Sequence, residues 1–453
     1  MASRSITRGL RRSALTVALG LCFVGGVQAQ TNVAGAVTGR ASAGDTITIT
    51  NPATGFSRTI TVDSSGSYRF SQLPTGQYQV SRNGADARNV VVNVGGATNV
   101  DFSAAARLDT VEVVGGGVIN PIDVSSVESS TIMTAAQIAR LPVARDTTAV
   151  ALLAPGTVKG DAAFGNLASF GGASVAENQY FFNGFNITNT FNNLDFAAIP
   201  FEAIAEQQTK TGGYGAEFGR STGGVVNQVS KRGSNEFHAG GNLFWSPESL
   251  VETRRSYYLN DGTLSADRSN NTTGTALTGA VWASGALVQD RLFAYGLLQY
   301  SDQGGSEAFS SSRGFSTSQT STQPKWLVKL DWHINDSNIL EFTGISDRRK
   351  YETDYFSTKY DDPVSPINPQ FDQFKGTEYN RAGGETYIAK YTGYLTDAIT
   401  LSALAGTSTS ARENYSVTAD GTVNSYQGTV GQPANGCPII VDARPSAVAR
   451  LVP

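Results

Sequence analysis

The most constraining feature of this chain is the alternation of apolar and polar residues in its C-terminal half. In the segment 326–334 the even-numbered positions are large and apolar, whereas the odd-numbered positions include Lys329, Asp331 and His333. Because successive side chains of a β-strand point to opposite faces, this pattern predicts strands with one apolar and one polar face. No segment after the first 29 residues approaches the ~18 consecutive apolar residues that indicate a membrane-crossing helix. If the chain enters a membrane, it must do so as strands closed into a barrel.

Further alternating segments predict about seven antiparallel strands between residues 236 and 411. Short turns are expected at 289–290, 335–338 and 396–397, and long polar loops at 247–275, 303–323 and 350–383. Short turns at one end and long loops at the other are typical of transmembrane β-barrels. Unpaired strand edges cost several kcal/mol in lipid. We therefore expect residues 236–453 to be the N-terminal portion of a barrel, a fragment that does not insert stably alone.

The first 29 residues have the composition of a secretory signal. Four arginines precede an apolar run from Ala14 to Val24, and small residues follow up to Ala29. This pattern predicts a signal peptide, residues 1–29, cleaved after Ala29. Ordinary secretion is favoured over twin-arginine export, because Arg11-Arg12 is not followed by the usual residues of that signal.

Composition excludes several classes of function. Removing the signal leaves 30 basic against 38 acidic residues, a net charge of −8, which argues against nucleic acid as a partner. Only Cys437 remains after cleavage, which excludes an internal disulfide framework and a cysteine metal site. His238 and His333 are the only histidines. We therefore expect no catalytic residue, no metal site and no cofactor.

Residues 30–106 alternate in short segments that turn-forming clusters separate. The segment 46–50 places threonines on one face and isoleucines on the other. Short strands at this spacing predict a small β-sandwich. The segment 66–80 is expected to form a hairpin that fills the core with Tyr68, Phe70, Tyr78 and Val80. It resembles the carboxypeptidase regulatory-like domain, a carbohydrate-binding-like sandwich, which leaves a docking module and a passive spacer as the alternatives.

A short extended strip follows, which ends in three glycines at 115–117. Its alternating residues are Asp109, Thr110, Val111, Glu112 and Val113. Such a strip can form one unpaired strand on a flexible tether. Residues 107–117 resemble a TonB box and its tether, and the resemblance implies that the strip adds an edge strand to the periplasmic protein TonB. An ordinary strand is the alternative.

Residues 118–235 mix helical and strand signals. Thr134 is a plausible helix N-cap, Pro142 would end that helix, and Asn183-Gly184 is a strong hairpin signal. The order and spacing of the segments 170–184, 199–220 and 223–231 resemble the plug domain of TonB-dependent receptors, in the Oar-like (OmpA-related) branch. On this motif the candidate substrate-facing residues are Glu177, Asn178, Tyr180, Asn183, Gly184 and Asn186. Hairpin and turn structure is the competing interpretation of these residues.

Two departures from the plug pattern bear on the substrate. Gly171-Gly172 and Asn183-Gly184 stand where many plugs of the family have Arg-Gly and Asp-Gly. The loss of these charges leaves the expected plug fold intact, but it weakens the analogy to ferric-siderophore receptors.

The resemblance implies a mainly β chain: a small β-sandwich, an α+β plug domain, and antiparallel transmembrane strands of an incomplete barrel. It implies the outer membrane of a Gram-negative bacterium, with the sandwich in the periplasm. The implied partners are TonB with its inner-membrane motor complex, outer-membrane lipid, and an exported or environmental substrate. The implied function is active uptake of a large or scarce peptide, carbohydrate or siderophore. The alternative is an adhesin or carbohydrate-binding surface protein without energy coupling.

An enzyme is disfavoured. Gly219-Arg220-Ser221-Thr222-Gly223 fits the Gly-x-Ser-x-Gly pattern of α/β-hydrolases. That chemistry needs a strand–turn–helix setting and a general base within reach of the serine, neither of which the sequence predicts.

Overall fold

The computed structural model describes residues 33–103, 128–161, 164–191, 193–252, 255–266, 268, 271, 274–308, 315–360 and 369–424. The predicted signal peptide, the strip 107–117 and Cys437 lie outside these residues. The described chain is mainly β and forms a sandwich, a mixed plug and a wall of long strands. None of its helices is long and apolar enough to cross a membrane.

The sandwich contains seven short strands. They are β1 (Gly35–Arg40), β2 (Thr46–Thr50), β3 (Ser57–Thr61), β4 (Ser67–Leu73), β5 (Gly76–Arg82), β6 (Ala85–Val92) and β7 (Ala97–Asn99). One sheet has the order β4-β1-β7 and the other the order β3-β2-β5-β6. The predicted core is confirmed: Tyr68, Phe70, Tyr78 and Val80 are buried between the sheets.

The expected hairpin at 66–80 is wrong. β4 pairs with β1, whereas β5 pairs with β2 and β6, so consecutive strands belong to opposite sheets. Pro74 has no N–H for a ladder bond. Gln72 and Gly76 have φ values of 60° and 151°, which turn the chain across the sandwich. The apolar alternation survives this crossing because both faces point into the same core.

Within its described residues, the plug contains two short α-helices and seven strands. They are β8 (Ser129–Thr134), α1 (Ala135–Ile138), α2 (Thr147–Ala151), β9 (Thr157–Lys159), β10 (Ala168–Phe170), β11 (Gln179–Phe182), β12 (Phe185–Asn186), β13 (Ile204–Gly212) and β14 (Val225–Ser230). Five of the strands form a sheet in the order β12-β11-β14-β13-β8, so β8 lies at an edge.

Both local signals in the plug are confirmed. Thr134 caps α1 in a reciprocal capping box with Gln137. Asn183 and Gly184 have φ values of 46° and 86°, as a two-residue hairpin turn between β11 and β12 requires.

The wall consists of long antiparallel strands joined edge to edge. They are β15 (His238–Ser246), β18 (Ala276–Val288), β19 (Leu292–Glu307), β20 (Ser316–Asn335), β21 (Asn338–Ser346), β22 (Arg349–Tyr360), β23 (Pro369–Tyr394) and β24 (Thr400–Thr418). Between them lie the short strands β16 (Tyr257–Tyr258) and β17 (Leu264–Ala266), and β25 (Val423–Asn424) pairs with the end of β24. β21 and β22 share both neighbours, β20 and β23, so they are two halves of one strand interrupted at 347–348. Counted this way, the described wall has the predicted seven long strands.

The predicted alternation along β20 is confirmed. Val328, Trp332 and Ile334 are exposed on the outer face, whereas Lys329, Asp331 and His333 are buried on the inner face. The three short turns also lie where they were predicted, at 289–291, 336–337 and 395–399.

Two of the three predicted long loops are wrong. The connection between β19 and β20 spans only 308–315, and most of 350–383 belongs to β22 and β23. These segments are polar, but a paired strand satisfies its backbone whatever its side chains are. The polarity of these segments therefore indicates exposure to water, which is compatible with paired strands as well as with loops.

Candidate functional site between the plug and the wall

The plug sheet buries a row of polar side chains beside its apolar ones. Gln207 and Gln228 face each other on β13 and β14, and the amide of Gln228 donates to Gln207 Oε1 at 2.9 Å. Gln207 in turn donates to the Thr147 carbonyl of α2 at 2.9 Å. Both glutamines are buried. Buried amides are tolerated because each has a partner, and these bonds fix α2 against the sheet.

The predicted Asn183-Gly184 turn reaches the wall. Asn183 Oδ1 accepts from the backbone N–H of Ser230 at 3.0 Å. Its Nδ2 donates to Ser230 Oγ at 2.9 Å and to Thr343 Oγ1 on β21 at 3.0 Å. One buried side chain therefore joins β11, β14 and the wall.

A buried charge cluster lies beside this turn. Glu341 on β21 forms ion pairs with Lys329 at 3.1 Å, Lys390 at 3.1 Å and Arg232 at 3.2 Å. Lys329 also pairs with Asp331 at 3.4 Å. Arg232 follows β14, so the plug contributes one cation and the wall contributes the remaining charges. Buried ions need such partners because their desolvation is costly.

Glu206 on β13 connects the plug to the sandwich. Its Oε2 accepts from the backbone N–H of Val94 at 2.9 Å. Burial raises the pKa of Glu206 to about 7, against smaller opposing effects of the Val94 hydrogen bond and of Arg232. The carboxyl therefore lies near its ionisation point at neutral pH.

The motif residues around 177–180 support the plug from within. Asn178 is fully buried, donates to the Ala168 carbonyl at 2.6 Å and accepts from the Gly224 N–H at 3.1 Å. Tyr180 stacks on Phe196 with ring centroids 4.0 Å apart. Burial raises the pKa of Tyr180 to about 12, so the ring stays neutral. The Glu177 carbonyl accepts the N–H groups of Thr222 and Gly223, both at 3.3 Å.

A cleft of about 370 Å³ separates the plug segment 185–197 from the wall. Asn186 lines it and is exposed, as is Phe191. An ion pair of Asp195 with Arg349 crosses its side. Asp347, at the break between β21 and β22, accepts the Ala198 N–H at 2.8 Å. The opposite lining is the hydroxyl-rich segment 407–410 of β24.

The structure places the six predicted motif residues in three different settings. Asn178, Tyr180 and Asn183 are buried and hold the plug together, whereas Asn186 opens onto the cleft. Glu177 is exposed and Gly184 is half-buried, both at turns. A substrate-facing role for the six stays a prediction. The strip residues 109–113 lie outside the described residues.

Sequence reasoning missed the charged contacts between plug and wall. Glu341, Lys390, Arg232 and the Asp195–Arg349 pair were not singled out, because their partners are far away in the chain. The signal that was present is the inward row Lys329, Asp331 and His333, since polar residues on the inner face of a wall need partners inside it.

The Ser221 motif is part of the plug structure. Its Oγ lies 2.9 Å from the Tyr214 hydroxyl and donates to the Gly224 carbonyl at 3.0 Å. His238 pairs with Glu236 on β15, and His333 packs between Phe56 and Phe293. The contacts of Ser221 are those of a structural turn.

Two domain families match this chain. Residues 31–105 match the carboxypeptidase regulatory-like domain. Residues 123–226 match the TonB-dependent receptor plug domain, a range that covers β8 to β13 of the plug. The TonB-dependent transporter Oar of Myxococcus xanthus is 31% identical over 271 residues, which cover 55% of this chain and 25% of that transporter. These matches, over part of the chain, support a TonB-dependent receptor of the Oar-like branch.

TonB-dependent receptors are outer-membrane proteins, and the matched relative is a transporter. The chain spans about a quarter of the length of that relative. Among solved structures, the siderophore receptor PirA of Acinetobacter baumannii has 14% identity and a TM-score of 0.38, covering 65% of this chain and 45% of PirA. The outer-membrane transporter YddB of Escherichia coli has 13% identity and a TM-score of 0.42, covering 65% of this chain and 51% of YddB.

Proposed function

We propose that this receptor takes up a large or scarce substrate across the outer membrane, with energy that TonB and its inner-membrane motor complex deliver. The observation that carries the proposal is the fastening of the plug. A polar sheet is held inside the strand wall by side-chain contacts at Asn183, Arg232 and Asp195. Such contacts can exchange for water one at a time, which suits a plug that must shift and return.

The coupling strip is Asp109, Thr110, Val111, Glu112 and Val113. It precedes the edge strand β8 in the chain, so a pull on the strip acts first on the edge of the plug sheet. Edge strands form ladder bonds on one side only and therefore open at lower cost than central strands. The receptor itself needs no catalytic residue in this mechanism.

The proposed orientation places the sandwich in the periplasm. The sandwich contacts the short wall turns at 290 and 396, and short turns of outer-membrane barrels face the periplasm. The cleft at 185–197 lies farther along the wall strands. We assign first contact with the cargo to this cleft, where Asn186 and Phe191 are accessible; Glu177 and Gly184 lie at turns outside its lining.

The cargo is proposed as a peptide, a carbohydrate or a siderophore. The cleft supports neutral, hydrogen-bonding cargo best, because hydroxyls line one side and the Asp195–Arg349 pair neutralises its own charges. An exposed aromatic ring such as Phe191 packs on sugar faces and on apolar peptide side chains alike.

The test of coupling uses a synthetic peptide of residues 104–117 and the periplasmic domain of TonB. We expect binding by strand addition, with chemical-shift changes along one edge of TonB. A matched peptide with Val111→Pro loses a ladder N–H and is expected to bind more weakly. In cells, deletion of 109–113 is expected to abolish uptake while leaving the receptor in the membrane.

Absence of peptide binding together with unchanged uptake after the deletion contradicts the proposal. Surface attachment that persists in both the deletion strain and a strain without TonB would instead favour the adhesin.

A further inference from the structure

The sandwich is docked on the wall at several separate points. The Arg58 guanidinium donates to the Thr396 carbonyl at 3.2 Å and lies 4.3 Å from the centroid of the Tyr394 ring. Tyr394 donates its hydroxyl to the Gln72 carbonyl at 2.8 Å. Ile339 and Tyr394 of the wall belong to the same buried cluster as the sandwich core. The core of the sandwich thus continues into the wall.

A second contact surface joins the sandwich to the plug. The turn after β6 places Val94, fully buried, against β13. Its N–H donates to Glu206 at 2.9 Å, and its carbonyl accepts from Gln208 at 3.4 Å. Near the next plug strand, the Asn235 N–H donates to the Ala53 carbonyl at 2.8 Å. The sandwich therefore bridges the plug sheet and the wall.

The register of β8 on β13 determines the order in which a pull opens their hydrogen bonds. β8 runs antiparallel to β13, from Ser129 opposite Gly212 to Thr134 opposite Glu206. A pull that enters from the N-terminal side opens the ladder first at Ser129 and last at Thr134. The last pair to open lies at Glu206, the residue that the sandwich holds through Val94.

We propose that the sandwich braces β13 against the wall, so that a pull on 109–113 removes β8 and leaves the rest of the plug sheet in place. This inference rests on the proposed site of coupling, but not on the identity of the partner that pulls. The contact between sandwich and β13 therefore limits how much of the plug opens. The edge strand β8 leaves, while the other strands of the sheet stay in place and allow it to refold.

The test pulls mechanically on the full-length receptor, immobilised through its barrel, by a handle at Asp109→Cys in a Cys437→Ser background. No TonB is present, so a failure of the brace is distinguishable from a failure of TonB binding. We expect a first step of at most about 35 Å, the extended length of the residues in β8 and α1, followed by higher resistance. In the double variant Glu206→Ala, Gln208→Ala, β13 is expected to leave together with β8. The chain from Ser129 to Gly212 then extends by about 300 Å without that resistance.

The matched control is Glu206→Gln, which keeps an oxygen that accepts from Val94 and is expected to behave as the wild type. A double variant that shows the same short step as the wild type overturns the proposal. So does a wild-type receptor that unfolds through β13 in one step.

A disulfide between sandwich and wall supplies a second measurement, which remains possible if the double variant does not fold. A Cβ built on Gly55 lies 3.2 Å from the Asp290 Cβ, so the two turns need to separate by a few tenths of an ångström to reach the ~3.5 to 4.5 Å of disulfides. Gly55→Cys with Asp290→Cys should therefore cross-link sandwich and wall. We expect identical first steps in the oxidised and reduced receptor, since the sandwich stays docked throughout. An earlier or longer first step after reduction shows that the sandwich leaves first, and it overturns the proposal.

Discussion

The sandwich core is apolar, whereas the plug sheet buries amides, hydroxyls and charges beside its apolar side chains. Phe70, Ile47 and Val80 represent the first interior, and Gln207 and Gln228 the second. An apolar core loses its packing when it opens, and water offers nothing in return. A hydrogen-bonded interior exchanges its partners for water at a small net cost. The difference suggests a division of labour in which the sandwich stays folded and the plug rearranges.

The largest effect is expected in the sandwich. Phe70→Ala removes a fully buried ring from its core, which should cost about 4 kcal/mol of unfolding free energy. Denaturant unfolding followed by tyrosine fluorescence checks this, with the exposed Phe191→Ala as the control. A loss below about 1 kcal/mol would contradict a tightly packed sandwich.

The charge cluster tests how the plug is fastened. Glu341→Gln takes from Arg232, Lys329 and Lys390 the carboxylate that all three share, and leaves Asp331 paired with Lys329. We expect a loss of about 3 kcal/mol, since removing one partner strands the others in a poorly solvated site. Calorimetry of the intact receptor measures it, and protease sensitivity of the plug should rise. The surface variant Glu413→Gln is the control. Equal stability of the two variants would refute this fastening.

Glu206 predicts a pH dependence of the contact between sandwich and plug. Its pKa is raised from 4.5 to about 7 in the folded state, mainly by burial. Between these values the unfolded chain is ionised while the folded chain holds the proton, so stability falls as pH rises. The total loss is roughly 2 to 3 kcal/mol and is complete above the folded pKa. Calorimetry from pH 4.5 to 8 should show this slope for the wild type and not for Glu206→Gln; parallel curves throughout would contradict it.

The polar interior of the plug gives a smaller effect. Gln228→Leu leaves Gln207 Oε1 and Thr147 Oγ1 without their donor. The expected cost is about 2 kcal/mol, and hydrogen exchange along β13 should accelerate. Adding Gln207→Leu removes both amides and should restore part of the loss. A double variant less stable than either single variant would contradict this account of the interior.

The smallest effect is expected at the sandwich surface. Arg82 and Asp86 pair at 3.3 Å, with 33% and 44% of their side chains exposed to water. Arg82→Ala should change stability by about 0.5 kcal/mol, with part of that from packing on Phe102. Repeating the measurement at high salt separates the ionic part. A change as large as that of Phe70→Ala would erase the contrast between core and surface.

The sequence predicted best where one residue and its near neighbours decide the structure. The alternation around Lys329, the Thr134 cap and the Asn183-Gly184 turn are local, and all three are confirmed. Partners distant in the chain were not predictable. Glu206 meets Val94 across 112 positions, and nothing near either residue indicates that contact.

The two long-loop predictions are wrong for a related reason. Whether 350–360 is a loop or a strand depends on β20 and β23 at its sides, since a backbone ladder is satisfied by a neighbour and not by side-chain polarity. The crossing between β4 and β5 likewise depends on which sheet offers a free edge.

The central claim is that TonB grips the strip at 109–113. The most direct measurement is disulfide trapping in living cells between Val111→Cys, in a Cys437→Ser background, and a TonB with one engineered cysteine on its exposed edge strand. We predict a cross-linked species that increases when substrate is supplied, and none for a cysteine placed at Ala104 instead. Equal trapping at both positions, or none at Val111→Cys, would contradict the account.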